Sequence, residues 1–262
     1  MSEDTLVNFE YEERIIAFID ILGFKALIEE TNTNSQENNN EAIAKLISIY
    51  RNIKRLLLKQ VEELIEEVKV TSFSDCLVIS LPVNQKDGLF DLALALLHFQ
   101  GEIFNKFNVL IRGGITHGKL IHQDDFLFGP AMNRAYELES QFAKNPRIII
   151  DPDLLNAKFQ YLKNQTDPEE IDELKNELES LFEGDFSILK HDQDDYYYID
   201  YLITFQAEMD DPEIDFPKYI RQLESLELSN NEPSLASKFA WITEKITHQI
   251  NYLDSLSLDG ST

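Results

Sequence analysis

Arg14-Ile15-Ile16-Ala17-Phe18-Ile19-Asp20-Ile21-Leu22-Gly23-Phe24 decides how this chain is read. The run from Arg14 to Ile19 is almost wholly apolar, which suits a central strand buried on both faces better than an edge strand with one wet face. It ends at an acid. A carboxylate at the end of a buried strand needs a cation, a helix N-terminus or a metal, because burying it unpaired is costly. Alone, Asp20 reads as well as the cap of a helix starting near Gly23.

A second acid repeats the pattern. Val68, Val70 and then Cys76 to Leu81 read as two β segments joined through Ser72-Phe73-Ser74-Asp75, with Pro82 closing the second. This predicts a hairpin with an acid near its tip. Asp75 by itself is an ordinary turn residue. Two such acids on adjacent strands, however, suit a pair of divalent ions about 3.5–4 Å apart, the spacing used for in-line phosphoryl chemistry.

Outward from these segments, Asn32 to Asn40 is a polar, asparagine-rich loop, and Glu41 to Glu67 carries apolar residues at helical spacing from Ile43 to Leu64. Asp87 to Phe107 reads as a helix. Val109 to Ile121 alternates like a strand pair around Gly113, Gly114 and Gly118, and Ala131 to Ala143 reads as a short helix behind Gly129-Pro130. Arg147 to Ile150 is a further buried strand, Asp167 to Phe182 an acidic helix, and Phe186 to Leu189 with Tyr196 to Ile203 a closing hairpin. This order predicts an α+β sandwich of the ferredoxin-like or palm kind, with an antiparallel-rich sheet and packed helices. From about Phe216 the chain reads as helical, with Phe239, Ile242, Ile246, Ile250 and Leu253 in one stripe suited to packing or dimer contact. The division expected is a catalytic domain over 1–205 and a C-terminal helical extension over 206–262.

Composition narrows the partners. A formal charge of −25 repels phosphate backbones and anionic lipid, so neither nucleic acid nor membrane is expected. Cys76 is the only cysteine, which excludes an intrachain disulfide and suits the cytoplasm. No signal peptide is read in Met1 to Glu13, and no apolar stretch approaches the roughly 20 residues of a membrane span.

Four segments, in order, give the chain a resemblance to the class III adenylate and guanylate cyclase family over roughly residues 14–200. Phe18 to Phe24 resembles the family's Asp-Ile-x-Gly-Phe metal motif, and Ser72-Phe73-Ser74-Asp75 its second-metal hairpin, where Gly-Asp is usual. Arg112-Gly113-Gly114-Ile115-Thr116-His117-Gly118 resembles its Arg-x-Gly-Ile-x-x-Gly strand, and Gly129-Pro130-Ala131-Met132-Asn133-Arg134-Ala135 its Gly-x-x-Val-Asn-x-Ala helix start. The resemblance implies that Asp20 and Asp75, with the Ile21 carbonyl, hold two Mg²⁺ or Mn²⁺ ions for attack of a ribose 3′-hydroxyl on the α-phosphorus. It also implies a head-to-tail homodimer in which Asn133 of one chain orients the ribose held by the other. Phe24 and Arg112 are the expected substrate contacts, and Lys190 in Ile188-Leu189-Lys190-His191 is the match for the family's triphosphate lysine.

Departures matter as well. The family's transition-state arginine follows the asparagine by four residues, where this chain has Glu137; Arg134 lies nearby but about 100° around the helix. The positions that read a purine hold Thr71 and Phe126, which offer the polar groups for neither adenine nor guanine. These traits are similar to the bacterial pyrimidine cyclases of the Pycsar antiphage system, with Phe126 and Tyr50 filling the space of a purine's second ring or serving as ordinary core aromatics. The expected substrate is UTP, with CTP second, and the cyclic product would act on a separate cyclic-nucleotide-responsive effector. Two rivals stand beside this reading: a palm enzyme making cyclic dinucleotides, and a degenerate cyclase-homology domain that binds without turnover.

Overall fold

The structure, a computed structural model, describes residues 10–32, 40–107, 109–183, 187–202, 221, 237–248 and 251. β1 (Glu12–Ile21) is the centre from which the rest is built. Its side chains alternate between two apolar clusters: Ile15, Ala17 and Ile19 enter the main core, while Ile16 and Phe18 enter a smaller one on the opposite face. Burial on both faces is why the sequence there shows a continuous apolar run rather than alternation.

β2 (Lys69–Phe73) and β3 (Cys76–Pro82) form the hairpin expected from the sequence, and β3 pairs antiparallel with β1. Ser74 takes the left-handed conformation, φ 51°, that its two-residue turn requires. On the other side β1 pairs along its whole length with β4 (Ile111–Gln123). The strand pair expected between Val109 and Ile121 is thus one long strand; its turn comes later, at Asp124-Asp125, before the short β5 (Phe126–Phe128). The sheet continues through β6 (Ile148–Ile150), β8 (Tyr197–Ile199) and β7 (Leu189–His191), giving the order β2-β3-β1-β4-β6-β8-β7 with β5 paired to β4. Among the described residues, only β4 and β6 run parallel. This is the mixed, antiparallel-rich sheet with packed helices expected from the sequence.

α2 (Asn40–Leu64), α3 (Gly88–Phe107) and α6 (Pro168–Phe182) all bury side chains in the main core. α1 (Phe24–Thr31) follows β1 almost at once, where the sequence offers a helix near Gly23, while α5 (Pro152–Asn164), capped by the Asp151 carboxylate, escaped the sequence reading. The opposite face of the sheet carries α4 (Pro130–Glu137), whose Ala131 and Ala135 pack on Ile16 and Phe18. At Leu138–Phe142 the helix widens into a π turn rather than continuing as α-helix to Ala143. Gly114 lets this turn sit directly on β4, since a Cβ there would stand 2.4 Å from that of Leu138.

In the expected C-terminal extension, residues 237–248 are helical, and Phe239, Ile242 and Ile246 are buried as the stripe predicted. Ile250, Leu253, Phe186 and the expected boundary at 205–206 lie outside the described residues. The segment docks through Trp241, which packs on Leu138, Ala143, Ile149 and Tyr198. Its indole N–H donates to Asp192 at 3.0 Å, as does Lys245. Asp192 also pairs with the fully buried Arg147.

Candidate functional site

Register brings the two acids together. Asp20 lies opposite Cys76 on β3 and opposite Arg112 on β4, and the Ile21 N–H donates to the Asp75 carbonyl at 3.1 Å. Side-chain ligand atoms of Asp20, Asp75 and Cys76 consequently lie within 4.8 Å of one another. Asp20 is inside β1, one residue before its end, and α1 starts behind Gly23 without a side-chain cap. The capping alternative is therefore not how Asp20 is used.

The electrostatics call for a cation. Burial raises the Asp20 pKa and the Asp75 charge adds to the rise, while Arg112 opposes it with its Nε 3.3 Å from Asp20 Oδ2. Arg112 also reaches Glu139, with Nη2 2.7 Å from Oε1 in an ionic contact not aligned as a hydrogen bond. Burial pushes Glu139 up to about 7, against the pull of Arg112 and with the push of Asp20. Arg112 and, more weakly, Lys238 act on Asp20 and Glu139, two cations against three acids once Asp75 is counted, an imbalance that divalent ions would relieve. The donors fit hard ions such as Mg²⁺ or Mn²⁺, because two carboxylates supply oxygen. Cys76 is a soft donor and suits such hard ions poorly; burial and the nearby Asp75 and Asp20 push its thiol up to about 12.

A second feature lies on the same face, where Thr71 and Phe126 line one hollow of ≈ 730 Å³ with Lys69, His122 and Asp125. His122 ties this region to the sheet: its Nε2 is 2.9 Å from Thr71 Oγ1 and its Nδ1 2.8 Å from Ser80 Oγ. The exposed rings of Phe73 and Tyr136 flank Phe18, at 6.3 and 5.6 Å between centroids.

Other expected residues are placed elsewhere in the chain. Arg134 forks onto the buried Asp151, Nε to Oδ2 at 2.9 Å and Nη2 to Oδ1 at 3.0 Å, and its Nη1 holds Glu137 at 2.8 Å. Asn133 is exposed on α4 and makes no hydrogen bond to Asp20 or Asp75. Phe24 is buried in the main core, its ring 6.2 Å from that of Tyr50. Lys190 is on the edge strand β7, three strands from β4, with its Nζ donating to Ser187 Oγ at 2.9 Å. Sequence reasoning missed Glu139, whose position depends on the π turn, and His122, which had no partner spacing to mark it.

The family model described as Adenylate and Guanylate cyclase catalytic domain matches residues 7–182. No curated protein sequence matches the chain. Among solved structures, the monomeric guanylyl cyclase domain of the RhoGC fusion protein from the aquatic fungus Blastocladiella emersonii is similar at 16% identity and a TM-score of 0.45, over 73% of this chain and 96% of that one. The adenylyl cyclase CyaB from P. aeruginosa is similar at 17% identity and a TM-score of 0.41, over 58% of this chain and 82% of that one. An adenylate/guanylate cyclase/hydrolase from Silicibacter pomeroyi gives 17% identity and a TM-score of 0.40, over 61% and 85%. Among the described residues, no helix is long and apolar enough to cross a membrane.

Proposed function

Since this chain belongs to the adenylate and guanylate cyclase catalytic domain family, with that domain over residues 7–182, we propose that it converts UTP into 3′,5′-cyclic UMP and diphosphate. The observation that carries the reading is the meeting of ligand atoms of Asp20, on β1, and Asp75, in the turn between β2 and β3, within 4.8 Å. Asp20 and Asp75, with the Ile21 carbonyl, would hold two divalent ions. Bound there, such ions acidify the ribose 3′-hydroxyl and offset the triphosphate charge.

The chain's own residues do the rest. Arg112 keeps a positive charge beside Asp20 while Glu139 holds its other end, so a phosphate oxygen entering between them meets a cation already oriented. Asn133, exposed on α4, serves the ribose bound by a second copy in a head-to-tail homodimer. The exposed rings of Phe73 and Tyr136 support that pairing, because they leave an apolar surface on the face that holds the acids. Phe24 braces α1 and Lys190 meets the triphosphate across the dimer. Residues 1–205 form the catalytic unit and 206–262 its extension.

Base choice belongs to the hollow between Thr71 and Phe126. A short hydroxyl and an aromatic ring suit a single-ring base, and resemblance to the Pycsar cyclases extends the reading to an antiphage second messenger sensed by a separate effector. CTP is the alternative substrate. A second reading, nucleotide binding without turnover, is favoured by one observation: Glu137 replaces the family arginine, and Arg134 is committed to Asp151.

Incubation of the purified chain with each of the four nucleoside triphosphates and Mn²⁺, followed by mass spectrometry, tests these readings. Cyclic UMP supports the proposal, and cyclic CMP selects the alternative substrate. A dinucleotide or the absence of any cyclic product overturns it.

A further inference from the structure

The helix over residues 237–248 lies against the π turn that carries Glu139 and brings a lysine toward the acids. We infer that this segment completes the site within its own chain: Lys238 supplies, beside Arg112, a second cation that contacts the phosphate oxygens of a bound nucleoside triphosphate. The inference rests on the reading that Asp20 and Asp75 hold that triphosphate through divalent ions.

Helix geometry sets the position. Side chains three or four residues apart share a face, so Lys238, Trp241 and Lys245 form one stripe. Trp241 is its middle, packed on Leu138 and Ala143, which bracket Glu139 in the chain. Beyond it Lys245 donates to Asp192 at 3.0 Å, the same carboxylate that accepts the indole N–H. Lys238 is seven residues back from Lys245, about 10 Å along the axis, on the other side of Trp241.

That is the side of the acids. The Lys238 charge acts on both Asp20 and Glu139, opposing the rise that burial imposes on each. Lys238 is only partly exposed, which keeps its ammonium from the full screening of bulk water. The sheet spans the same distance from below. Asp192 pairs with Arg147, and the Arg147 carbonyl accepts from the Gly113 N–H at 3.1 Å. Gly113 follows Arg112, whose guanidinium pairs with Asp20 and Glu139. The helix thus lies over a path from Asp192 to the acids, with one lysine at each end.

Charge supplies the role. In the matched domain, Arg134 is committed to Asp151, Lys190 is three strands from β4, and Arg112 is already paired with two acids. A triphosphate entering over these acids brings more negative charge, which grows on the diphosphate as it leaves. An ammonium placed beforehand meets that charge without reorganisation, and the flexible lysine stem suits a point contact.

Calorimetry on the full chain tests this through two ligands whose affinities should move in opposite directions. Lys238→Met keeps the aliphatic stem and removes the charge. In the presence of Mn²⁺ it should weaken the non-reactive α,β-methylene analogues of UTP and ATP by about 10- to 100-fold, by the same factor for each analogue that binds. Without nucleotide it should tighten Mn²⁺ itself by about 2- to 10-fold, because the ammonium repels the metal. A lysine that only held the helix in place would weaken both ligands when lost, and that result overturns the inference. Lys238→Arg keeps the charge and should bind the analogues within about 3-fold of wild type, with tryptophan emission unchanged in both variants. Analogue affinity unchanged in Lys238→Met, or lost as fully in Lys238→Arg, overturns the inference, as does a wild type that binds neither analogue. If the affinities move as expected and no cyclic product forms, the lysine contact stands and the cyclase reading falls. If they do so for the ATP analogue alone, the contact stands and the uridylate reading falls.

Discussion

Replacing Gly114 by alanine should disable the site before it unfolds the protein. The added Cβ would stand 2.4 Å from Leu138 Cβ, 3.1 Å from the Ala135 carbonyl and 3.3 Å from the Glu139 nitrogen. Carbon atoms rest at about 3.5–4.0 Å, so the π turn must move outward by roughly 1 Å. Leu138 has no free direction in which to yield, being fully buried with Ala143, Ile149 and Tyr198. Overpacking of this kind costs about 1–3 kcal/mol, and in a chain of this size it lowers Tm by about 3–10 °C. The same displacement carries Glu139 away from Arg112 and tilts α4, with Asn133 on it. A misplacement near 1 Å can reduce turnover by about 100-fold. Circular dichroism melts and steady-state kinetics well below Tm would separate the two effects. A Gly114→Ala protein that melts within about 1 °C of wild type and turns over normally would refute the claim that this contact positions Glu139.

Asp75→Asn should weaken Mn²⁺ binding by at least about 10-fold in calorimetry, through the loss of a charged ligand, and abolish turnover with little change in the melt. Chelation should abolish turnover reversibly. Acidification should weaken the fold through His122, whose folded-state pKa of about 4 lies below the ordinary 6.5. The unfolded chain takes up the proton first, so this contribution is complete above pH 6.5 and is lost as pH falls toward 4. The loss is at most about 3 kcal/mol, and urea titrations at pH 7 and 4.5 should show His122→Gln losing less stability than wild type. Asp192→Ala removes the acceptor of both Trp241 and Lys245; a loss of about 2–3 kcal/mol and a red shift in tryptophan emission are expected.

Much of the fold was legible because its centre is unambiguous. The apolar run before Asp20 has one good interpretation, and Ser74-Asp75 between two β segments has one more. What joined them, the register that sets Asp20 beside Cys76, is a tertiary fact that local pattern does not carry. Glu139 was hidden for a different reason. Its aim depends on a π turn, which breaks the 3.6-residue phase that sequence reading assumes. Gly118 drew attention as the turn of a hairpin, yet β4 continues through it and places His122 over Ser80. Arg134 looked available to a substrate because its partner, Asp151, reads locally only as the cap of α5, a helix that went unread despite Pro152 behind it.

Trp241 is the chain's single tryptophan, and it sits where residues 237–248 clasp the matched domain. Its fluorescence is therefore a built-in gauge that needs no label. Intensity and wavelength followed while a nucleotide is added would report in real time whether the clasp loosens, tightens or holds still during a reaction cycle.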